Sequence, residues 1–469
     1  MGLTEKCGLI GIYGNTQDAA RLVYYGLWAL QHRGQESSGI CCSGGDELLC
    51  HKGTGLVAHV YNESAVKALK GNIAIGHNRY STFGKSTVDH SQPVYYNQNN
   101  LALAHNGNLP DVSRLLEFLT SKGISTTGFN DSELMFKAIE YYCVMGMSAQ
   151  EAVKLCYPLF TGAFCLLILT KNELIAVRDS KGIRPLSLGK INGTYVISSE
   201  TCALDAIGAV TVRDIAPGEM VTINNNGLES HTIQNGEVNL DVFEFIYFAR
   251  PDSTLLGKSV YTVRKNLGAA LADETAISAD MVIPVPDTAI PAALGYAQNT
   301  KVPFEQVLVK NRYIHRTFIK PSNKQRTEGV KMKLNLIAES VKNKRVILID
   351  DSIVRGTTSK HLVSIFRDCG VKEIHMLITS PPVLYPDFYG INTPSQSELI
   401  ASQMTHSELE NYLCVDSLHY LSFTNMVKAI GVPVTSLCTS CFTGEYPIGI
   451  GDNSTQIKPV EHYNYIMTT

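Results

Sequence analysis

The segment Val346-Ile-Leu-Ile-Asp-Asp-Ser-Ile-Val-Arg-Gly-Thr-Thr-Ser359 decides how the second half of this chain is read. Four apolar residues make a buried strand, and Asp350 and Asp351 stand at its carboxyl end. A loop then opens a helix through Gly356, Thr357, Thr358 and Ser359. Free backbone N–H groups and hydroxyls at a helix start favour a phosphate. Adjacent carboxylates repel each other unless a cation or hydroxyl partner sits between them. They suit a ribose diol or a Mg²⁺ carried by a pyrophosphate, since Mg²⁺ takes oxygen ligands. The segment lacks the Gly-Lys-Ser/Thr of a Walker A loop. The bland alternative is a strand-to-helix turn capped by Asp and Thr.

Around this segment, buried-type strands alternate with helices: MVIPVP, a helix from Ile290, FEQVLVK, RVILIDD, a helix from Thr358, and EIHMLITS. That rhythm predicts a parallel α/β sheet with ligands at the carboxyl ends of its strands. The first 235 or so residues read differently, as many short strands with a few helices, including Thr16–Gln31 and Ser132–Cys143. They predict an α+β layered domain. A length of 469 residues accords with two domains, here placed at 7–238 and 239–469 after a short leading segment, 1–6.

A net charge of -3 offers no basic surface for nucleic acid, and no apolar run is long enough to span a membrane. Met1 to Lys6 is too short and polar for a signal peptide, so a cytoplasmic location is expected. The 12 cysteines are then expected mostly reduced, without a disulfide framework.

Several first-half segments share one chemistry. Cys7 precedes a Gly-rich apolar strand. Gln31-His-Arg-Gly-Gln-Glu-Ser-Ser-Gly39, His77-Asn-Arg-Tyr-Ser-Thr-Phe-Gly84, Ala104-His-Asn-Gly-Asn-Leu109 and Asn130-Asp-Ser-Glu133 follow. Amide hydrolysis needs a nucleophile, a base and an oxyanion site. Taken alone, Cys7 reads as a core residue and Asn106-Gly107 as a type I′ hairpin turn.

Together these segments resemble the glutaminase domain of class II amidotransferases, N-terminal-nucleophile hydrolases with an αββα sandwich. The Val346–Ser359 segment resembles the motif of type I phosphoribosyltransferases that binds phosphoribosyl pyrophosphate (PRPP). Arg178-Asp-Ser-Lys-Gly-Ile-Arg-Pro-Leu186 and Tyr247-Phe-Ala-Arg-Pro-Asp252 extend the likeness, and both halves in this order resemble the amidophosphoribosyltransferase family. The resemblance implies Cys7 as nucleophile, freed as residue one by removal of a 1–6 propeptide so that its own α-amine serves as base. It implies Asn106 and Gly107 as oxyanion hole, Arg79 on the glutamine α-carboxylate, Asp131 on its α-ammonium, and Thr82 as a further contact. For PRPP it implies Asp350, Asp351 and Arg355, Gly356, Thr357, Thr358 and Ser359, with Thr288 assisting Mg²⁺. A basic lid is expected to bring Lys310, Arg312, Arg316, Lys331 and Lys333 to the pyrophosphate. Ammonia is expected to pass through an apolar channel near Tyr80. The family likeness also implies a homo-oligomer (dimer or tetramer) and feedback by purine nucleotides.

Many members resembling this chain hold a [4Fe–4S] cluster on four cysteines. Here Cys438 and Cys441 keep the C-x-x-C pair, while Asp241 and Asp387 stand at the other two ligand positions. Carboxylates are poor substitutes for thiolates on such a cluster. The expectation is loss of the cluster. A Zn²⁺ on two Cys and two Asp, or a cluster with unusual ligands, are the alternatives. Two rivals to the whole reading are another glutamine-dependent transferase and a catalytically silent PRPP- or nucleotide-sensing protein.

Overall fold

The computed structural model describes residues 7–14, 18–80, 90–96, 99–311, 334–390 and 395–467. Met1–Lys6, Thr16, Thr82, Arg312, Arg316, Lys331 and Lys333, all used in the expectations above, lie outside them.

Two antiparallel sheets face each other in the first half. The seven-stranded sheet runs in the order Val210–Asp214, Ser187–Ile191, Thr194–Ser198, Gly8–Tyr13, Ile73–Arg79, Ser37–Ser43, Leu48–Thr54. The six-stranded sheet runs Gly227–Thr232, Glu219–Asn224, Leu174–Arg178, Thr161–Leu169, Ala102–Asp111, Val94–Tyr95. Leu9, Ile75, Ala102, Ala104, Leu167 and Leu174 pack between them. Alternation sends the intervening side chains outward. Ile10, Ile40 and Ala74 meet the helix Ala19–Ala29, while Phe164, Leu166 and Ile168 meet the helix Asp131–Val144. The result is four layers: helix, sheet, sheet, helix.

The second half has a parallel sheet in the order Met281–Pro284, Arg345–Asp350, Glu373–Ile378, Ser417–Tyr420. Helices Val260–Glu274 and Ile290–Thr300 cover one face, and Thr357–Asp368 and His406–Leu413 the other. Both faces are buried, which is why its strands read as continuous apolar runs.

One expectation needs correction. FEQVLVK is not a strand of this sheet: Phe304 makes a single bridge to Val282, and Leu308–Lys310 pairs with Leu334–Leu336 instead. Its mixed apolar and polar residues cannot fill a position buried on both faces. Most cysteines are outside any disulfide, as expected, but Cys41 and Cys50 form one. They are directly opposed on adjacent antiparallel strands, with Cα atoms 4.2 Å apart. Among the described residues no helix is long and apolar enough to cross a membrane.

A buried ionic network joins the halves. Arg33, wholly buried, donates to Glu200 and, across the junction, to Glu244. Glu200 also accepts from the Arg250 backbone N–H at 2.9 Å and the Ser253 hydroxyl at 2.6 Å. Burial works to raise the Glu200 carboxyl, but Arg33 and His32 outweigh it and hold the group well below its ordinary range. Arg33→Met leaves Glu200 to His32 and Glu244 to the more distant Arg184 at 3.4 Å, and breaking this buried network costs about 3–5 kcal/mol. Chemical denaturation of the full chain checks this, and a loss under about 1 kcal/mol contradicts the network's structural role.

Candidate active sites

Cys7 is half-buried directly before the Gly8–Tyr13 strand. Gly8, the residue after Cys7, pairs with Asn78, which precedes Arg79, the last residue of its own strand. Arg79 is 8 % exposed. A Cβ on Gly8 would lie 2.9 Å from Leu30 Cβ and 3.4 Å from Arg33 Cβ. The strand that follows Cys7 is therefore seated on Leu30 and the buried arginine from behind.

Asn106 and Gly107 are not a turn. They sit inside Ala102–Asp111, opposite Cys165 and Phe164 of the neighbouring strand. Ala102 and Ala104 face the other sheet, so Asn106 faces it too, toward the Cys7 sheet. Its side chain is 2 % exposed and its Nδ2 has no hydrogen-bond partner. A buried donor left unmade costs free energy, so its retention points to a partner that arrives with substrate. Gly107 has φ +147°, and a Cβ there would fall 2.0 Å from the Ala163 carbonyl oxygen. Only glycine fits.

Asp131 opens the helix Asp131–Val144, whose start is fixed by a capping box between Asn130 and Glu133. Its Oδ2 accepts the Leu109 N–H at 3.2 Å, which ties the carboxylate to the Asn106 strand. His105 Nδ1 lies 3.7 Å from the same oxygen and 3.0 Å from Ser132 Oγ.

Sequence reasoning missed His77. It is fully buried, and its Nε2 donates to the His105 carbonyl at 3.0 Å, linking the Arg79 strand to the Asn106 strand across the sheets. Its place two residues before Arg79 on an alternating strand was the available signal. Burial pushes its pKa down to about 3, against the His105 hydrogen bond and with Arg79 adding. An unfolded histidine protonates near roughly 6.5. The unfolded chain thus binds more protons between those values, and stability falls as pH drops through that window. His77→Gln is expected to reduce the acid slope of stability by about one proton, read from denaturation midpoints between pH 3 and 6.5. An unchanged slope contradicts the assignment.

In the second half Asp350 ends its strand, and Asp351 takes the hydroxyls of Thr288 and Ser352, the latter at 2.7 Å. Desolvation and the adjacent Asp351 push the Asp350 carboxyl well above its ordinary range. Gly356 caps the helix Thr357–Asp368 at φ +68°, where a Cβ would meet Ile400 Cδ1 at 2.6 Å. Thr357, Thr358 and Ser359 form the first turn. Two expected cations are otherwise engaged: Arg355 Nε donates to Glu398 at 2.7 Å, and Lys310 Nζ to Asp287 at 2.6 Å. Tyr80, a suggested channel residue, is half-buried.

The four cluster-ligand positions converge. Asp241 pairs in parallel register with Cys438, and all four residues are buried. Arg184 Nη1 holds Asp241 Oδ2 at 2.9 Å, while its other nitrogens donate to the Tyr389 carbonyl at 3.2 and 3.0 Å. Asp387 accepts the Tyr389 N–H at 2.8 Å. Burial pushes Asp241 up to about 7, against Arg184, with Asp387 and Glu244 adding. Burial and the same two aspartates push the Cys438 thiol up to about 12. Among the described residues no group of three or more His, Cys, Asp or Glu is arranged to hold a metal ion. Carboxylates at two of the four positions, one of them already paired with a guanidinium, do not fit a [4Fe–4S] cluster.

Residues 77–206 match the glutamine amidotransferase domain family and residues 258–380 the phosphoribosyl transferase domain family. An amidophosphoribosyltransferase of Synechococcus elongatus is 46 % identical, covering 97 % of this chain and 94 % of its own length. One from Bacillus subtilis is 43 % identical, covering 96 % and 95 %. The chain belongs to the amidophosphoribosyltransferase family. A solved glutamine PRPP amidotransferase from B. subtilis, complexed with ADP and GMP, superposes with TM-score 0.88 at 42 % identity over 95 % of this chain and 98 % of that one. A solved allosteric regulatory enzyme of purine biosynthesis gives TM-score 0.89 at 41 % identity, covering 99 % of each chain. Within this family frame, Gly107→Ala is expected to abolish glutamine hydrolysis, since its Cβ would displace the Ala163 carbonyl. Asn106→Ala is expected to lower kcat for glutamine by about 10²–10³. Steady-state glutamate release measures both.

Proposed function

We propose that the chain converts glutamine, PRPP and water to 5-phosphoribosylamine, glutamate and pyrophosphate, the first committed step of de novo purine biosynthesis. The observation that carries this reading is the buried, partnerless Asn106 amide beside Gly107, aimed at the sheet that carries Cys7 and Arg79. The fold supports an N-terminal-nucleophile αββα sandwich at 7–238 and a type I phosphoribosyltransferase domain at 239–469.

In the first site Arg79 forks onto the glutamine α-carboxylate, Asp131 takes the α-ammonium, and Thr82 adds a contact. The Cys7 sulfur attacks the carboxamide carbon. The Cys7 α-amine accepts the thiol proton and returns it to the departing ammonia. A free α-amine titrates near roughly 8, close enough to neutral for this work. The amine is free only once the Lys6–Cys7 bond is cut, so 1–6 is a propeptide in this reading. Asn106 Nδ2–H and the Gly107 N–H stabilise the tetrahedral oxyanion. Water then hydrolyses the glutamyl thioester.

In the second site the first turn after Gly356 cradles the PRPP 5′-phosphate, with Arg355 released from Glu398 to join it. Asp350 and Asp351 hold the ribose hydroxyls. The oxygen set of Thr288, Asp350 and Asp351 fits a single Mg²⁺ shared with the pyrophosphate, which needs only one or two carboxylates from protein. When bound, Mg²⁺ neutralises charge on the leaving pyrophosphate. Lys310, Arg312 and Lys331 bring further positive charge as the lid closes, and closure excludes water that competes with ammonia. Ammonia attacks C1 and pyrophosphate leaves with inversion. Arg33–Glu244 and the Asn108 Nδ2 donation to the Phe388 carbonyl at 2.8 Å hold the two halves together, which supports direct transfer of ammonia.

Cys438, Cys441, Asp241 and Asp387 carry no [4Fe–4S] cluster in this reading, since Arg184 already neutralises Asp241. Purine nucleotides share the ribose 5-phosphate of PRPP and compete at the Gly356–Ser359 cradle. A homo-oligomer, dimer or tetramer, and a cytoplasmic location complete the proposal.

The test is glutamate release from glutamine with and without PRPP and Mg²⁺, beside pyrophosphate release from PRPP with ammonium salt. Wild-type protein beginning at Cys7 is expected to show PRPP-stimulated hydrolysis. Cys7→Ala is expected to lose glutamine-dependent activity and keep the ammonia-dependent one, and Asp351→Asn to lose both synthetic activities. Wild-type protein inert in both assays would overturn the catalytic reading in favour of a silent sensor.

A further inference from the structure

Ser37 is 2 % exposed, and its hydroxyl has no hydrogen-bond partner. It begins the strand Ser37–Ser43 and pairs in register with Arg79. Ser37 and Arg79 thus stand in one row, and on the other side of the Arg79 strand lies the Gly8–Tyr13 strand that Cys7 leads into. The faces are settled by their neighbours. Ser38 points outward, donating to Asn78 Oδ1 at 2.8 Å with Tyr61 Oη at 3.2 Å. Cys41, four residues on, lies in the core between the sheets. Ser37 therefore faces inward, toward the sheet that brings the second partnerless donor, Asn106 Nδ2.

A buried hydroxyl can rotate to donate or accept, and burying one with neither use is unfavourable. Among the described residues nothing uses this one. It lies beside the arginine that takes the glutamine α-carboxylate, and a carboxylate has about four lone-pair sites, more than one guanidinium fork fills.

We propose that Ser37 is a substrate contact, its hydroxyl donating to the glutamine α-carboxylate beside Arg79. The assignment rests on the glutaminase reading above. It adds a residue to the recognition of the amino-acid end and leaves the chemistry at the carboxamide to Cys7, Asn106 and Gly107. An interaction made equally in ground and transition states changes KM and not kcat.

The experiment compares wild type and Ser37→Ala, both as full chains with the mature Cys7 terminus. It measures kcat and KM for glutamine, the ammonia-dependent rate with PRPP, and the thermal midpoint. Ser37→Ala is expected to raise KM for glutamine about ten- to a hundredfold, the loss of one hydrogen bond to a charged group being of that order. Its kcat and ammonia-dependent rate should match wild type. Its thermal midpoint should be unchanged or higher, because the substitution removes an orphaned polar group. Three results overturn the assignment: an unchanged KM, a fall in kcat at constant KM, or a rise in KM accompanied by a lower midpoint. The second places the hydroxyl at the reacting carboxamide, and the third makes its role one of packing. If wild type itself hydrolyses no glutamine, the glutaminase reading fails first, and the assignment with it.

Discussion

Arg33 is the point on which both halves of the molecule close. Its guanidinium has no access to water and is matched by Glu200 from the first half and Glu244 from the second. Such a charge is stable inside a protein only when its partners are fixed. The requirement runs in both directions: the sandwich must present Glu200, and the segment leading into the parallel sheet must present Glu244. Because the arginine also backs Gly8, the same group that locks the junction supports the strand that delivers Cys7. Arg184 repeats the device a short way along, paired with Asp241 and at 3.4 Å from Glu244.

The glutaminase site shows how sheet geometry assembles chemistry from distant sequence. Arg79 and Asn106 come from strands of different sheets, Cys7 leads into a third, and alternation turns Arg79 and Asn106 into the same gap. His77 bridges that gap to the His105 carbonyl, and Asp131 reaches the same strand through Leu109 N–H. Arg79 and the Asn106-Gly107 pair are held by backbone pairing, which suits the preorganised donors that the proposed reaction needs. In the second half the logic is that of an open parallel sheet, with Asp350, Asp351 and the Gly356 turn gathered at a strand's carboxyl end.

The four positions expected from the sequence for a cluster form a buried polar cell. Asp241 lies beside Cys438 in parallel register. Its counterion is a guanidinium that also ties down the Tyr389 carbonyl. Cys438 and Cys441 are packed as buried thiols, and burial favours their neutral form.

The sequence by itself determined the class of both halves. Apolar runs ending in Asp350-Asp351 allow little besides a strand buried on both faces, and Gly356 with its hydroxyl neighbours marks the helix start. It also singled out Cys7, Arg79, Asp131 and Asn106-Gly107 as candidates, because they stand beside apolar runs where a core has no use for them. What it left open depended on pairing between segments far apart. Asn-Gly has a strong local preference for a turn, and only the register with Cys165 and Phe164 places it within a strand. FEQVLVK has local strand character, but its edge pairing with Leu334–Leu336 is fixed by what else the sheet can bury. The partners of Arg33, the role of His77, the Cys41–Cys50 disulfide and the inward face of Ser37 are likewise set by three-dimensional neighbours. Burial and register are properties of the assembled sheets, and no single segment encodes them.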